Sequence, residues 1–243
     1  MAFRKFLSAL GVGAPEVETV LDQDRVSPGG RVTATVTVRG GDVDVEVDRL
    51  AVTLAVRFET QGEAEVRYMH SVARQVPVGF FILRAGEVRT EQAVFDIPLG
   101  MPLTHIGGRG LKGAHCAVVT ELAIERAVDR SDEDLLEVHA LPAQAAVFQA
   151  FEDLGFRHRQ AEVKAGRASA RQEVGWWQEI EMQAPADYRL GTVELMLVAL
   201  ESELDVCPGS QVAPLALKYE ETEDQAALTA RIDAYLRESF PRR

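Results

Sequence analysis

Cysteine, aromatic residues, positive charge and long apolar runs are all scarce in this chain. Cys116 and Cys207 are its two cysteines among 243 residues, with no C-x-x-C and no Cys/His spacing, so neither a disulfide framework nor a cysteine-bound metal is indicated. A free pair behaves as small buried hydrophobes and fits a reducing compartment. Lys and Arg number 26 against 38 Asp and Glu, for a net charge of −12. That excess of acid argues against a nucleic-acid partner, because such binding rests on cations that neutralise phosphates. No run approaches the roughly 18 apolar residues of a membrane span. The opening MAFRKFLSALGVGAPEVE lacks the apolar core of a secretory signal. The expectation is a cytoplasmic protein with no stable membrane insertion.

What is present is alternation. Val32, Ala34, Val36 and Val38 interleave with Arg31, Thr33, Thr35 and Thr37, and Leu50, Val52, Leu54, Val56 and Phe58 repeat the pattern. Period two over this length predicts half-buried antiparallel strands. Turn signals separate them at 27–30, 40–42, 61–63, 84–87 and 98–102. Strand, turn and strand then recur to about residue 126, without the long helices a parallel sheet would need. Helical spacing appears in three places. Phe3, Phe6, Leu7 and Leu10 make a short stripe; Val147, Phe148, Phe151 and Leu154 precede Gly155; and Leu228, Ile232, Tyr235 and Leu236 stop before Pro241. The last stripe has two uses, packing on its own domain or making a homodimer, and the first of these is the default.

The pattern reads as an all-β protein of two antiparallel β-sandwich domains with short N-terminal, middle and C-terminal helices. The first domain spans 1–128, a linker strand 129–141, and the second domain 142–243. Strands in the second half are predicted over 156–164, 175–182 and 192–205, the last covered on both faces.

No motif indicates a reaction or a cofactor. Gly108-Arg109-Gly110-Leu111-Lys112-Gly113 has the form G-x-G-x-x-G, but a strand with Cys116, Val118, Thr120, Leu122 and Ile124 on one face follows it. A dinucleotide site needs a helix there, so the stretch reads as a hairpin loop. Asp129-x-Ser131-x-Glu133 starts like a calcium loop, yet it has Asp134 where the sharp turn needs Gly and Ala140 where the bidentate Glu belongs. His70, His105, His115, His139 and His158 are scattered with no H-x-x-x-H, so no metal is expected. There is no G-x-S-x-G elbow.

Two charged groups remain. Asp129, Arg130, Asp132 and Asp134 cluster at the boundary and read as an interdomain network. Lys164, Arg167 and Arg171 form a basic region on an acidic protein, suited to steering an acidic protein partner. In Trp176-Trp177, strand geometry sends Trp176 inward and Trp177 outward, so Trp177 joins the three cations as a candidate contact for a partner. A carbohydrate or other small ligand stacked on Trp177 is the alternative.

One resemblance covers nearly the whole chain. Gly11-Val12-Gly13-Ala14 leads into Val17-Glu18-Thr19-Val20-Leu21, and Pro28-Gly29 precedes a Val-rich strand that ends at Gly40-Gly41. Val119 to Ile124, the Asp129-x-Ser131-Asp132-x-Asp134 segment and Leu154-Gly155-Phe156-Arg157 follow in order. The sequence resembles the bacterial sporulation-control (SpoOM) family, which is arrestin-like in fold. The resemblance implies two sandwiches joined edge to edge, no catalytic activity, and a regulatory adaptor that works through other proteins in developmental or cell-cycle control.

Overall fold

The computed structural model describes residues 13–57 and 69–240. The stripe at Phe3 to Leu10 and the turn at 61–63 lie outside the described residues. In the first half the strands are β1 (Glu16–Leu21), β2 (Arg25–Val26), β3 (Arg31–Arg39), β4 (Val45–Arg57), β5 (Met69–Val78), β6 (Phe81–Leu83) and β7 (Val88–Asp96). They are followed by β8 (His105–Ile106), β9 (Arg109–Gly110), β10 (Cys116–Ile124), β11 (Arg130–Leu135) and β12 (Glu137–Val138). One sheet has the order β1-β3-β7; the other runs β11-β10-β4-β5, with β6 also pairing with β4. Val32, Val36 and Phe95 from the first sheet and Leu50, Leu54 and Leu122 from the second are all buried between them, as the alternation predicts.

The expected linker strand is not a linker. β11 pairs antiparallel with β10 from Ala117↔Leu135 to Leu122↔Arg130, and β12 pairs in parallel with β2. The first half therefore runs on through Val138. The reason is that residues 130–135 alternate half-buried with exposed, the signature of an edge strand on a sandwich and not of a solvated connection.

The second half contains α1 (Pro142–Asp153), β13 (Arg157–Ala165), β14 (Trp176–Gln183), β15 (Thr192–Ala199), β16 (Glu203–Cys207), β17 (Leu215–Lys218) and α2 (Gln225–Ser239). The strands make one antiparallel sheet, β13-β14-β15-β16-β17. The all-β, antiparallel architecture with middle and C-terminal helices is present, and in this half the two helices supply the layer against the sheet. Val147, Phe148 and Phe151 of α1 and Leu228, Ile232 and Leu236 of α2 join Ile180, Leu195 and Val206 in one core. α2 packs on its own half: Gln225 Nε2 donates to Ala146 O at 3.3 Å and Tyr235 Oη to Ala213 O at 2.6 Å.

The strand predicted over 192–205 is a hairpin, with Leu200 N donating to Glu203 O at 2.9 Å. Its turn, Leu200-Glu201-Ser202, holds neither Gly nor Pro, so residue type carries no punctuation there. Its burial on both faces is as expected, with Leu195, Met196 and Val198 all buried.

Candidate functional site

The 129–134 cluster binds sheets of one sandwich together instead of spanning the two halves. Asp132 Oδ2 accepts the Thr19 amide at 2.7 Å, and Thr19 Oγ1 and Thr120 Oγ1 are 2.7 Å apart in the buried space beside it. This clamps the β1 edge to the opposite sheet. Asp129 Oδ1 accepts the Ile124 amide at 3.0 Å and closes the turn between β10 and β11. Arg130 Nε and Asp134 Oδ2 are buried with no hydrogen-bond partner among the described residues. Burial, aided by the Asp132 charge, pushes the Asp134 carboxyl up.

The basic region is largely neutralised within the molecule. Arg171 donates to both oxygens of Asp205 and to Glu203, while Ser169 Oγ donates to Asp205 Oδ2 at 2.9 Å. Asp205 is 1% exposed, so the guanidinium serves first as the counter-ion of a buried carboxylate. Its own pKa rises, mainly through the hydrogen bond to Asp205. Lys164 pairs with Glu179 and lies 3.6 Å from Glu162. Trp177 is half-buried, and its indole N–H donates to Glu179 Oε1 at 2.8 Å. Arg167 is exposed and, unlike Lys164 and Arg171, has no ion-pair partner among the described residues.

The two halves meet along the segment that sequence reasoning treated as a turn and a loop. Leu103 N donates to Gln178 Oε1 at 2.9 Å and Gln178 Nε2 to Leu103 O at 2.7 Å. Trp176 is buried as expected, and its Nε1 donates to Gly100 O at 3.1 Å. The glycine-rich stretch is a tight hairpin, as its residues suggested. Gly107 and Gly108 turn with φ of 57° and 76° between β8 and β9, a reversal suited to two left-handed residues. Gly113 has a different task. Its φ is +95°, and a Cβ there would sit 2.3 Å from Ala161 O, so only glycine lets Lys112 O accept the Ala161 amide at 2.7 Å.

Beside this seam the fold assembles a group that spacing alone left apart. His105, Glu137 and His139 place one ligand atom each within 4.8 Å of the others, the one such His/Cys/carboxylate group found among the described residues. His139 Nε2 is 2.8 Å from Glu137 Oε2, and His105 Nε2 is 3.9 Å from Glu137 Oε1. The imidazoles stack, with centroids 4.7 Å apart and planes 10° from parallel. The Glu137 carboxyl is held below its usual range, foremost by the hydrogen bond to His139. The available sequence signal was Glu137-x-His139 in a strand, which puts both side chains on one face.

The cysteines are free and buried. Desolvation pushes both thiols up to about 12, so they are structural and unreactive. No helix among the described residues is long and apolar enough to cross a membrane.

Comparison with known proteins gives one consistent result. The family model described as SpoOM protein matches residues 3–208. The sporulation-control protein spo0M of Bacillus subtilis is 29% identical over 208 residues, covering 84% of this chain and 78% of that protein. The crystal structure of Spo0M from the same organism superposes with a TM-score of 0.78 at 26% identity, covering 94% of this chain and 100% of that one.

Proposed function

The chain belongs to the SpoOM protein family, and from that premise we propose that it is a regulator in sporulation or related developmental control. In this reading it acts in the cytoplasm by holding other proteins, without chemistry of its own. The observation that carries the interaction reading is a concentration of exposed large apolar side chains between residues 76 and 88. Phe80 is 65% and Ile82 55% exposed, and Val76 and Val88 are also exposed. Solvent-exposed aromatic and aliphatic side chains gathered on one stretch mark interaction surfaces more than isolated ones do. Phe81 between them turns inward against the core and carries the Arg89 guanidinium 4.4 Å above its ring. Its anchorage holds Ile82, the next residue of β6, outward, since successive strand residues face opposite ways. Arg167 is the residue of the basic loop that stays open to an acidic partner.

Affinity capture from the native host at the onset of development tests this, using wild type, a Phe80→Asp/Ile82→Asp variant and Arg167→Glu. Reproducible protein partners lost in the apolar variant support the reading. Background alone from wild type and variants alike refutes it.

A further inference from the structure

We propose that His105, Glu137 and His139 form a binding site for a divalent transition-metal ion, zinc by preference. Three features carry the assignment: the convergence of the side chains, the support of the His105 ring, and the cleft beside His139.

The geometry comes from backbone pairing. Glu137 and His139 point to one side because they are two apart on extended chain. His105 reaches the same place through a parallel bridge to His139, reinforced by Ala140 N donating to His105 O and His139 N donating to Val26 O. The ligands thus stand on a hydrogen-bonded framework, not on free loops. Tetrahedral zinc with bonds of about 2.0–2.1 Å needs ligand atoms about 3.3 Å apart. The three ligand atoms lie within 4.8 Å of one another, with His139 Nε2 2.8 Å from Glu137 Oε2 and His105 Nε2 3.9 Å from Glu137 Oε1, so side-chain rotations about one ion would bring them to that spacing.

The His105 ring is held by a neighbouring hydroxyl. Thr104 Oγ1 accepts the Val138 amide at 2.7 Å and donates to Val138 O at 3.4 Å. It also lies within hydrogen-bond distance of His105 Nδ1, at 2.9 Å, which holds the ring in place. His105 Nε2 is turned toward the Glu137 carboxyl, 3.9 Å from Oε1, and a cation bound between them would be held by both. A hydrogen bond at the other ring nitrogen is the usual means by which a metal-bound histidine is oriented. Glu137 Oε2 faces both Arg25 Nε at 3.1 Å and His139 Nε2 at 2.8 Å while Oε1 faces His105, so a bound ion would replace the hydrogen bond to His139 and leave the ion pair with Arg25.

Of the three, His139 lines a cleft of about 330 Å³, with Arg25, Ser27 and Arg31 among its other walls. Two imidazoles and one carboxylate suit zinc, whereas calcium and magnesium favour sites built of oxygen alone. A bound ion would tie β8, which is continuous with the seam residue Leu103, to β12.

Zinc titration of untagged protein by calorimetry tests the proposal. One equivalent should bind saturably, at least tenfold more weakly in His105→Ala and in His139→Ala, and equally well in His115→Ala, whose ring pairs with Glu133 elsewhere. A second measurement is independent of any variant. Cobalt(II)-loaded wild type should show the intense visible absorption of a four-coordinate site. No saturable zinc binding, equal affinity in wild type and both histidine variants, or a weak six-coordinate cobalt spectrum would each overturn it.

Discussion

The Gln178 carboxamide and the Leu103 backbone hold each other in a two-point clasp, amide to Oε1 at 2.9 Å and Nε2 to carbonyl at 2.7 Å. A side chain of the second half thereby supplies the ladder partner that an irregular stretch of the first half lacks. Replacing Gln178 with Ala should cost about 1–3 kcal/mol, two modest hydrogen bonds with the Leu103 amide left unpaired. Denaturant unfolding measures the loss, and faster hydrogen exchange at Leu103 would locate it. Unchanged exchange at that amide would show that the clasp contributes nothing.

Each edge strand of the β1-β3-β7 sheet is met by one side chain of the other sheet. Asp132 takes the Thr19 amide on β1, and Gln75 donates to Val94 O on β7 while accepting the Val94 amide at 3.2 Å. Unpaired edge groups invite pairing with another chain. A Gln75→Ala/Asp132→Ala variant should aggregate on mild heating where wild type stays soluble, and light scattering reads this directly. Small-angle X-ray scattering of Asp132→Ala alone should match wild type, because its hydrogen bonds lie within the first half.

Arg171 and Arg167 are neighbours in sequence with opposite expectations. Arg171→Ala strips the buried Asp205 of its counter-ion and should destabilise by about 2–3 kcal/mol, less than a fully buried pair because water reaches the arginine. Arg167→Ala should leave the melting temperature within a degree or so, as ordinary surface substitutions do. Equal effects of the two would remove the assignment of Arg171 as a structural counter-ion.

Acid should weaken the protein through His158. Burial, foremost, and then the charge of Arg109 hold its imidazole below the ordinary histidine value, against the opposing influence of Gln160, Glu152 and Glu181. Its Nε2 is buried without a partner among the described residues. The unfolded chain takes a proton near pH 6.5 and the folded one only lower, so the unfolded state binds more protons in that window. Stability present above about pH 6.5 is therefore lost as pH falls toward the folded value. Between about pH 7 and 5.5, wild type should lose more unfolding free energy than His158→Leu. Asp134, with its carboxyl pushed up, acts with the opposite sign, and at the lower pH where carboxylates titrate. Parallel pH profiles for wild type and His158→Leu would count against the histidine.

Much of the strand pattern was readable because it is local. Val32 to Val38 and Val118 to Leu122 alternate in sequence and in burial alike, and Gly155, with φ of +90°, stands just past α1 where its residue type predicts a helix terminator. The hairpin at 200–202 escaped notice because Glu and Ser make that turn without a residue that demands it. β17 is too short to show a period.

The sequence by itself determined the antiparallel β class, the two later helices, the inward Trp176 and the family, since each is written in nearest-neighbour periodicity or in the order of residues. Tertiary structure alone decided which charges meet. Asp132 reaches Thr19 across two sheets, Arg171 folds back on Asp205, and His105 comes to lie against His139. Period says which face a side chain is on. Register and packing say what stands opposite, and a charge acquires its role only from what it faces.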